Sequence, residues 1–126
     1  MPLGGGRTLV NTGSAGVSVT RPSHAQLALL DGENGRWTAR LIEEPYDAEE
    51  AIRAFYEKGF FEEAGLWADM MARQLREGGE WAVDMVRAAM KLAREAGITS
   101  GLVGDIAESL WRQAAQSLAG CNANDQ

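Results

Sequence analysis

The spacing of apolar residues changes once along this chain, at Pro45-Tyr46-Asp47, and that change sets its fold class. Before it, short apolar runs alternate or lie continuous between turn residues, the pattern of strands. "RTLV" runs into Asn11-Thr12-Gly13-Ser14, "VSVT" alternates briefly before Pro22, and "AQLALL" leads to "DGENG". Asn34-Gly35 is a strong hairpin signal, because both residues tolerate positive φ. "WTARLI" then puts Trp37, Ala39 and Leu41 on one face and Thr38, Arg40 and Ile42 on the other. Residues 25 to 44 are therefore expected to form a hairpin, with residues 7 to 11 as a third strand.

After Asp47 the apolar residues repeat at three and four. Asp47 caps a first helix, with Glu50 three residues on, and Ala48, Ala51, Ile52 and Phe55 form its inner face up to Gly59. A second helix carries Ala64, Trp67, Ala68, Met71 and Leu75 and stops at Gly78-Gly79. A third carries Ala82, Met85, Val86, Ala89, Leu92 and Ala96 and closes on Gly97. A fourth spans about Val103 to Leu118, before the polar tail "CNANDQ". The reading is α+β: short antiparallel strands followed by about four α-helices. Its divisions are a strand-bearing part over residues 1–58, a helical extension over 59–120 and a tail over 121–126. The sheet is small for its sequence. "LALL" is apolar on both faces, and a strand of that kind expects cover on both.

The 126 residues fit one domain that buries roughly two-thirds of its unfolded surface. No apolar run reaches the ~20 residues of a membrane span, and "MPLGGGRTLV" has no secretory h-region. A single cysteine, Cys121, fits a reducing compartment, which points to the cytoplasm. The net charge of −6 lies wholly after residue 45, where fourteen acidic side chains face eight basic ones. An acidic helical half repels phosphate backbones, so neither nucleic acid nor membrane is expected as a partner.

Chemistry is sparse. The glycine-rich stretch "GGGRTLVNTGSAG" has neither of the two phosphate-cradling spacings, and no helix opens directly after Gly16. His24 is the only histidine, too few for a two-metal centre, which needs a dense set of ligands to hold its ions about 3.5–4 Å apart. Asp105 and Glu108 in "GDIAE" read as charges favoured at a helix start. Ser23 is poorly placed for His24 to activate, and nothing around Cys121 lowers its pKa. Glu43-Glu44, Glu49-Glu50 and Glu62-Glu63 are adjacent pairs that point to different faces, the habit of solvated surface. Trp67, Met71, Met85 and Trp111 read as helix packing. No catalytic or cofactor-binding residue emerges.

One ordered set of short motifs says more. Leu9, Val10, Asn11, Gly13, Ser14 and Gly16 follow the pattern of a strand ending in N-P-G-S-x-G, with Thr12 in place of the proline. Ala28, Leu29, Leu30 and Asp31 match a following "ALLD" strand, and Tyr46-Asp47 opens an alanine-rich helix. Over about residues 4 to 58 this resembles the C-terminal part of calcineurin-like metallophosphoesterases, in their small bacterial branch of phosphodiesterases and phosphatases. "WADMMARQLREGG" and "SLWRQAA" are similar to the helical extension of longer members. The resemblance implies a β-sandwich flanked by helices, with a divalent pair such as manganese activating a hydroxide for attack on phosphorus. It also implies that the turn at Asn11, Gly13 and Ser14 supports the metal-ligand loops without holding metal.

The family's ligand motifs (Asp-x-His, Gly-Asp-x-x-Asp, Gly-Asn-His and Gly-His-x-His) are not in this sequence. On that resemblance the chain is expected to be a C-terminal fragment, with Met1 internal to a longer reading frame and the ligands upstream. Alone it would be inactive, and its open strand edges would invite self-association. The other reading is a non-catalytic acidic helical module for protein interaction or oligomerisation.

Overall fold

Asn34 and Gly35 make the turn that organises the strand half. In the computed structural model, which describes residues 1–120, both have positive φ, 50° and 75°. That is the geometry matching the twist of a two-residue hairpin. Flanking strands β3 (His24–Glu33) and β4 (Arg36–Pro45) pair antiparallel in unbroken register, from Glu33 opposite Arg36 to His24 opposite Pro45.

A period of two then sorts the side chains. One face carries Leu27, Leu29 and Ile42, with Arg40 beside Leu29. The other carries Ala28, Leu30, Ala39, Leu41 and Trp37, the last lying over Gly32. Among the described residues the hairpin is a sheet by itself, so β3 and β4 each keep one edge without a strand partner. Its apolar residues stay in water: Trp37 is 75% exposed, Leu41 63%, Leu30 55%, Leu29 40% and Leu27 39%.

The expected third strand over residues 7–11 does not join this sheet. Only Arg7–Thr8 (β2) is strand, and it pairs with Pro2–Gly4 (β1). Gly4, Gly5 and Gly6 let the chain reverse at once, and Met1 and Leu9 then exchange two hydrogen bonds of 2.9 Å. A near partner satisfies the backbone before a distant one can, because closing a short loop costs less entropy.

The helical half follows the apolar spacing. Asp47 accepts hydrogen bonds from the N–H groups of Glu49 (2.9 Å) and Glu50 (3.1 Å), capping α1 (Ala48–Glu57). The expected second helix is two: α2 (Phe60–Ala64) and α3 (Leu66–Glu77), broken at Gly65, whose ψ of −123° is not helical. Next comes α4 (Trp81–Glu95), closed by hydrogen bonds from Gly97 to Arg94 and from Ile98 to Ala93, a Schellman ending. The last helix, α5 (Glu108–Gly120), begins later than its spacing predicts. Val103–Asp105 make one 3₁₀ turn, and the extended Ile106 turns its side chain into the core.

Among the described residues five α-helices thus stand where about four are expected, and the class is α+β. The polar tail, residues 121–126 with Cys121, lies outside the described residues.

Two apolar clusters share α3. Ala48 and Ile52 of α1 meet Ala72 and Leu75 of α3, with Val17 and Tyr46 packed against them. Met70 of α3 joins Met85, Ala89 and Ala93 of α4 and Ala114 of α5, around Ile106. The Arg73 guanidinium lies 3.6 Å from the centre of the Trp81 ring, tying α3 to α4. Among the described residues no helix is long and apolar enough to cross a membrane.

Candidate functional site

Residues 9 to 23 form neither helix nor strand, yet they are held tightly at one place. The Asn11 carboxamide oxygen accepts from the Gly13 N–H at 3.0 Å, closing a side-chain turn in which Gly13 takes φ +77°. That turn rests on Gln26 of β3. The Gln26 N–H donates to the Ser14 carbonyl at 2.8 Å, and the Ser14 N–H donates to Gln26 Oε1 at 3.4 Å. A Cβ added at Gly13 would lie 2.3 Å from Gln26 Oε1 and 2.7 Å from its Cβ, so only glycine fits.

Gln26 is the hub of a wider set. Ser18, 1% exposed, donates from its hydroxyl to Gln26 Oε1 at 3.2 Å and accepts from the Arg21 N–H at 3.1 Å. The Gln26 amide nitrogen donates to Thr20 Oγ1 at 3.4 Å and to Glu43 Oε1, across on β4, at 3.0 Å. Glu43 also pairs with the Arg21 guanidinium. The hydrogen bond from Gln26, followed by the nearby Arg21 charge, holds the Glu43 carboxyl below the usual glutamate range, with partial burial opposing it.

Three further bonds dock this loop on the rest of the fold. Tyr46 donates its hydroxyl to the Gly16 carbonyl at 2.8 Å, and partial burial raises its pKa. The Tyr46 N–H donates to the Ser23 carbonyl (2.9 Å), and the Gly79 N–H, between α3 and α4, donates to the Val19 carbonyl (2.7 Å). An open cleft of about 410 Å³ lies beside the turn, lined by Asn11, Gly13, Ser14, Thr20, Gln26 and Leu41.

Asn11, Gly13 and Ser14 therefore do come together, on a polar hub that the sequence reading missed. Its one visible signal was Gln26 itself, a polar residue interrupting the apolar run "AQLALL". Every polar atom of the Gln26 side chain is engaged within the protein, which suits a structural support. Among the described residues no three His, Cys, Asp or Glu side chains gather as metal ligands, and His24 Nδ1 sits 3.0 Å from the Pro22 carbonyl. The described residues here do not fit a two-metal centre. No protein-family profile, curated protein or solved structure matches the chain.

Proposed function

We propose that this chain supplies the closing hairpin, supporting turn and helical extension of a calcineurin-like metal-dependent phosphoesterase, and that the metal ligands belong to sequence upstream of it. One observation carries the reading: the β3–β4 hairpin presents apolar side chains on both faces and, among the described residues, has no further strand on either edge. A sheet buried in a sandwich between flanking layers would use those surfaces; a free-standing hairpin would not. The Asn11–Ser14 turn, locked onto Gln26, supports the same reading as a rigid brace for neighbouring loops. In this role Asn11, Gly13 and Ser14 act by position and do not touch substrate. Residues of this kind behind a metal site typically matter roughly 10–100-fold in metal affinity or activity.

The test compares the 126-residue chain with one extended upstream, each assayed on bis-p-nitrophenyl phosphate with manganese. Turnover is expected only from the extended chain, reduced roughly 10–100-fold there by Gly13→Ala. Metal-dependent turnover by the short chain, lost on Asn11→Ala, would refute the reading. An upstream sequence without the ligand motifs would favour the non-catalytic interaction module instead, for which the same exposed hairpin would serve as the contact surface.

A further inference from the structure

The helical half has a second concave site, which the phosphoesterase reading does not use. A cleft of about 450 Å³ opens where the start of α3 and the short α2 meet α4 and α5. Its size falls within the roughly 300–1,000 Å³ of small-molecule sites. Its floor is apolar, with the Trp67 and Trp111 rings beside buried Met85. Three acidic residues, Glu62, Glu63 and Glu108, also line it, so the adjacent pair Glu62-Glu63 borders one cleft where separate faces are expected, and no Lys, Arg or His lines it.

The local sequence explains the carboxylates. Two lie in the first turn of α2 and one in the first turn of α5, where the helix dipole favours acids. Among the described residues Glu62 and Glu63 have no ion-pair partner, while Glu108 meets Arg112 at 3.3 Å, both side chains being largely solvated. An anion is repelled from such a lining. A neutral apolar molecule would fill the floor but leave the charge unmatched. Aromatic faces attract cations, most of all where acidic groups stand beside them.

We propose that this cleft binds an amphipathic organic cation, an ammonium group carrying an apolar body. The body lies against Trp67, Trp111 and Met85, and the charged head sits among Glu62, Glu63 and Glu108. The site stands on α2 to α5 and the 3₁₀ turn before α5, so it is independent of the Asn11–Ser14 turn and of the proposed enzyme.

The test titrates the 126-residue chain with hexyltrimethylammonium and, separately, with 1-hexanol and hexanesulfonate. The readout is the indole N–H signals, assigned with Trp67→Phe and Trp111→Phe. Saturable shifts confined to Trp67 and Trp111 are expected with the cation. Affinity should fall roughly tenfold in a Glu62→Gln, Glu63→Gln, Glu108→Gln variant and weaken with added salt. These exposed substitutions leave the core untouched, so a circular-dichroism melt should match that of the parent chain. The proposal is overturned if 1-hexanol binds as tightly as the cation, if the triple variant binds it unchanged, or if shifts fail to saturate or appear equally at Trp37 on the hairpin.

Discussion

Replacing Gly13 with alanine tests the one place where the loop, the hairpin and the proposed role meet. Two costs combine. A left-handed φ of +77° costs a residue with a side chain roughly 1–2 kcal/mol. The new methyl would also lie 2.3 Å from Gln26 Oε1 and 2.7 Å from Gln26 Cβ. Rotating the Gln26 amide away cannot relieve the second contact, because the Cβ is fixed to the strand backbone. The turn must lift instead, weakening the bonds to Gln26 from the Ser14 N–H and the Ser18 hydroxyl. At roughly 0.5–1.5 kcal/mol each, these bring the total to about 2–5 kcal/mol.

Urea unfolding of a double-mutant cycle with Gln26→Gly separates the two costs. Gln26→Ala would not serve, since it keeps the offending Cβ. In the Gln26→Gly background only the backbone term remains, so Gly13→Ala should cost about 1–2 kcal/mol there and clearly more in the parent. Equal costs in both backgrounds, or a cost below about 0.5 kcal/mol in the parent, would mean that the turn does not rest on Gln26.

Ile52 is 2% exposed and joins α1 to α3, so Ile52→Ala should cost about 2–5 kcal/mol in urea unfolding; a loss under 1 kcal/mol would show that the α1–α3 contact is not a packed core. Glu43 has a folded pKa below the ordinary 4.5, so its contribution to stability is present above pH 4.5 and lost as pH falls through the lower folded value. A carboxyl titration by NMR should place its midpoint below 4.5, and Gln26→Ala should move it back up; an unchanged midpoint in that variant would remove Gln26 as the leading cause. Sedimentation velocity should show the chain self-associating with concentration, and Leu30→Lys with Leu41→Lys, both on one exposed hairpin face, should return it to monomer. A sharp monomer peak for the unmodified chain at high concentration would count against an exposed sheet in need of cover.

Local chemistry made some features readable in advance. Asn34-Gly35 with flanking alternation specifies a hairpin and its register without help from elsewhere, and Asp47 and Gly97 mark helix ends by bonds that span a few residues. Longer-range choices were hidden. The apolar run at Leu9-Val10 reads as a strand, yet the chain beside it closes on Met1 across the glycines. The spacing from Ala64 to Leu75 reads as one helix because the pattern barely registers the break at Gly65. For the site, Asn11, Gly13 and Ser14 were legible as a turn, but not their seat. Gln26 is twelve residues beyond Ser14, and Glu43 a further seventeen, on the opposite strand.

The two halves of the molecule satisfy their apolar residues in opposite ways, and the loop between them explains how both persist in one chain. The helices bury alanine and methionine against one another, with Ala68, Ala89 and Ala114 wholly enclosed. Small residues there let α3, α4 and α5 approach closely. The hairpin buries almost none of its leucines and is held at its base. Tyr46 bonds to Ser23 and Gly16, Val19 bonds to Gly79, and Gln26 gathers Ser14, Ser18, Thr20 and Glu43. Polar, directional bonds are suited to that task because they fix an angle, which apolar contact alone does not. They aim the hairpin without covering it. On the proposed reading, a sheet set at a fixed angle with leucines of both faces still exposed would receive other layers, and the Asn11–Ser14 turn, bonded to Gln26, would brace it there.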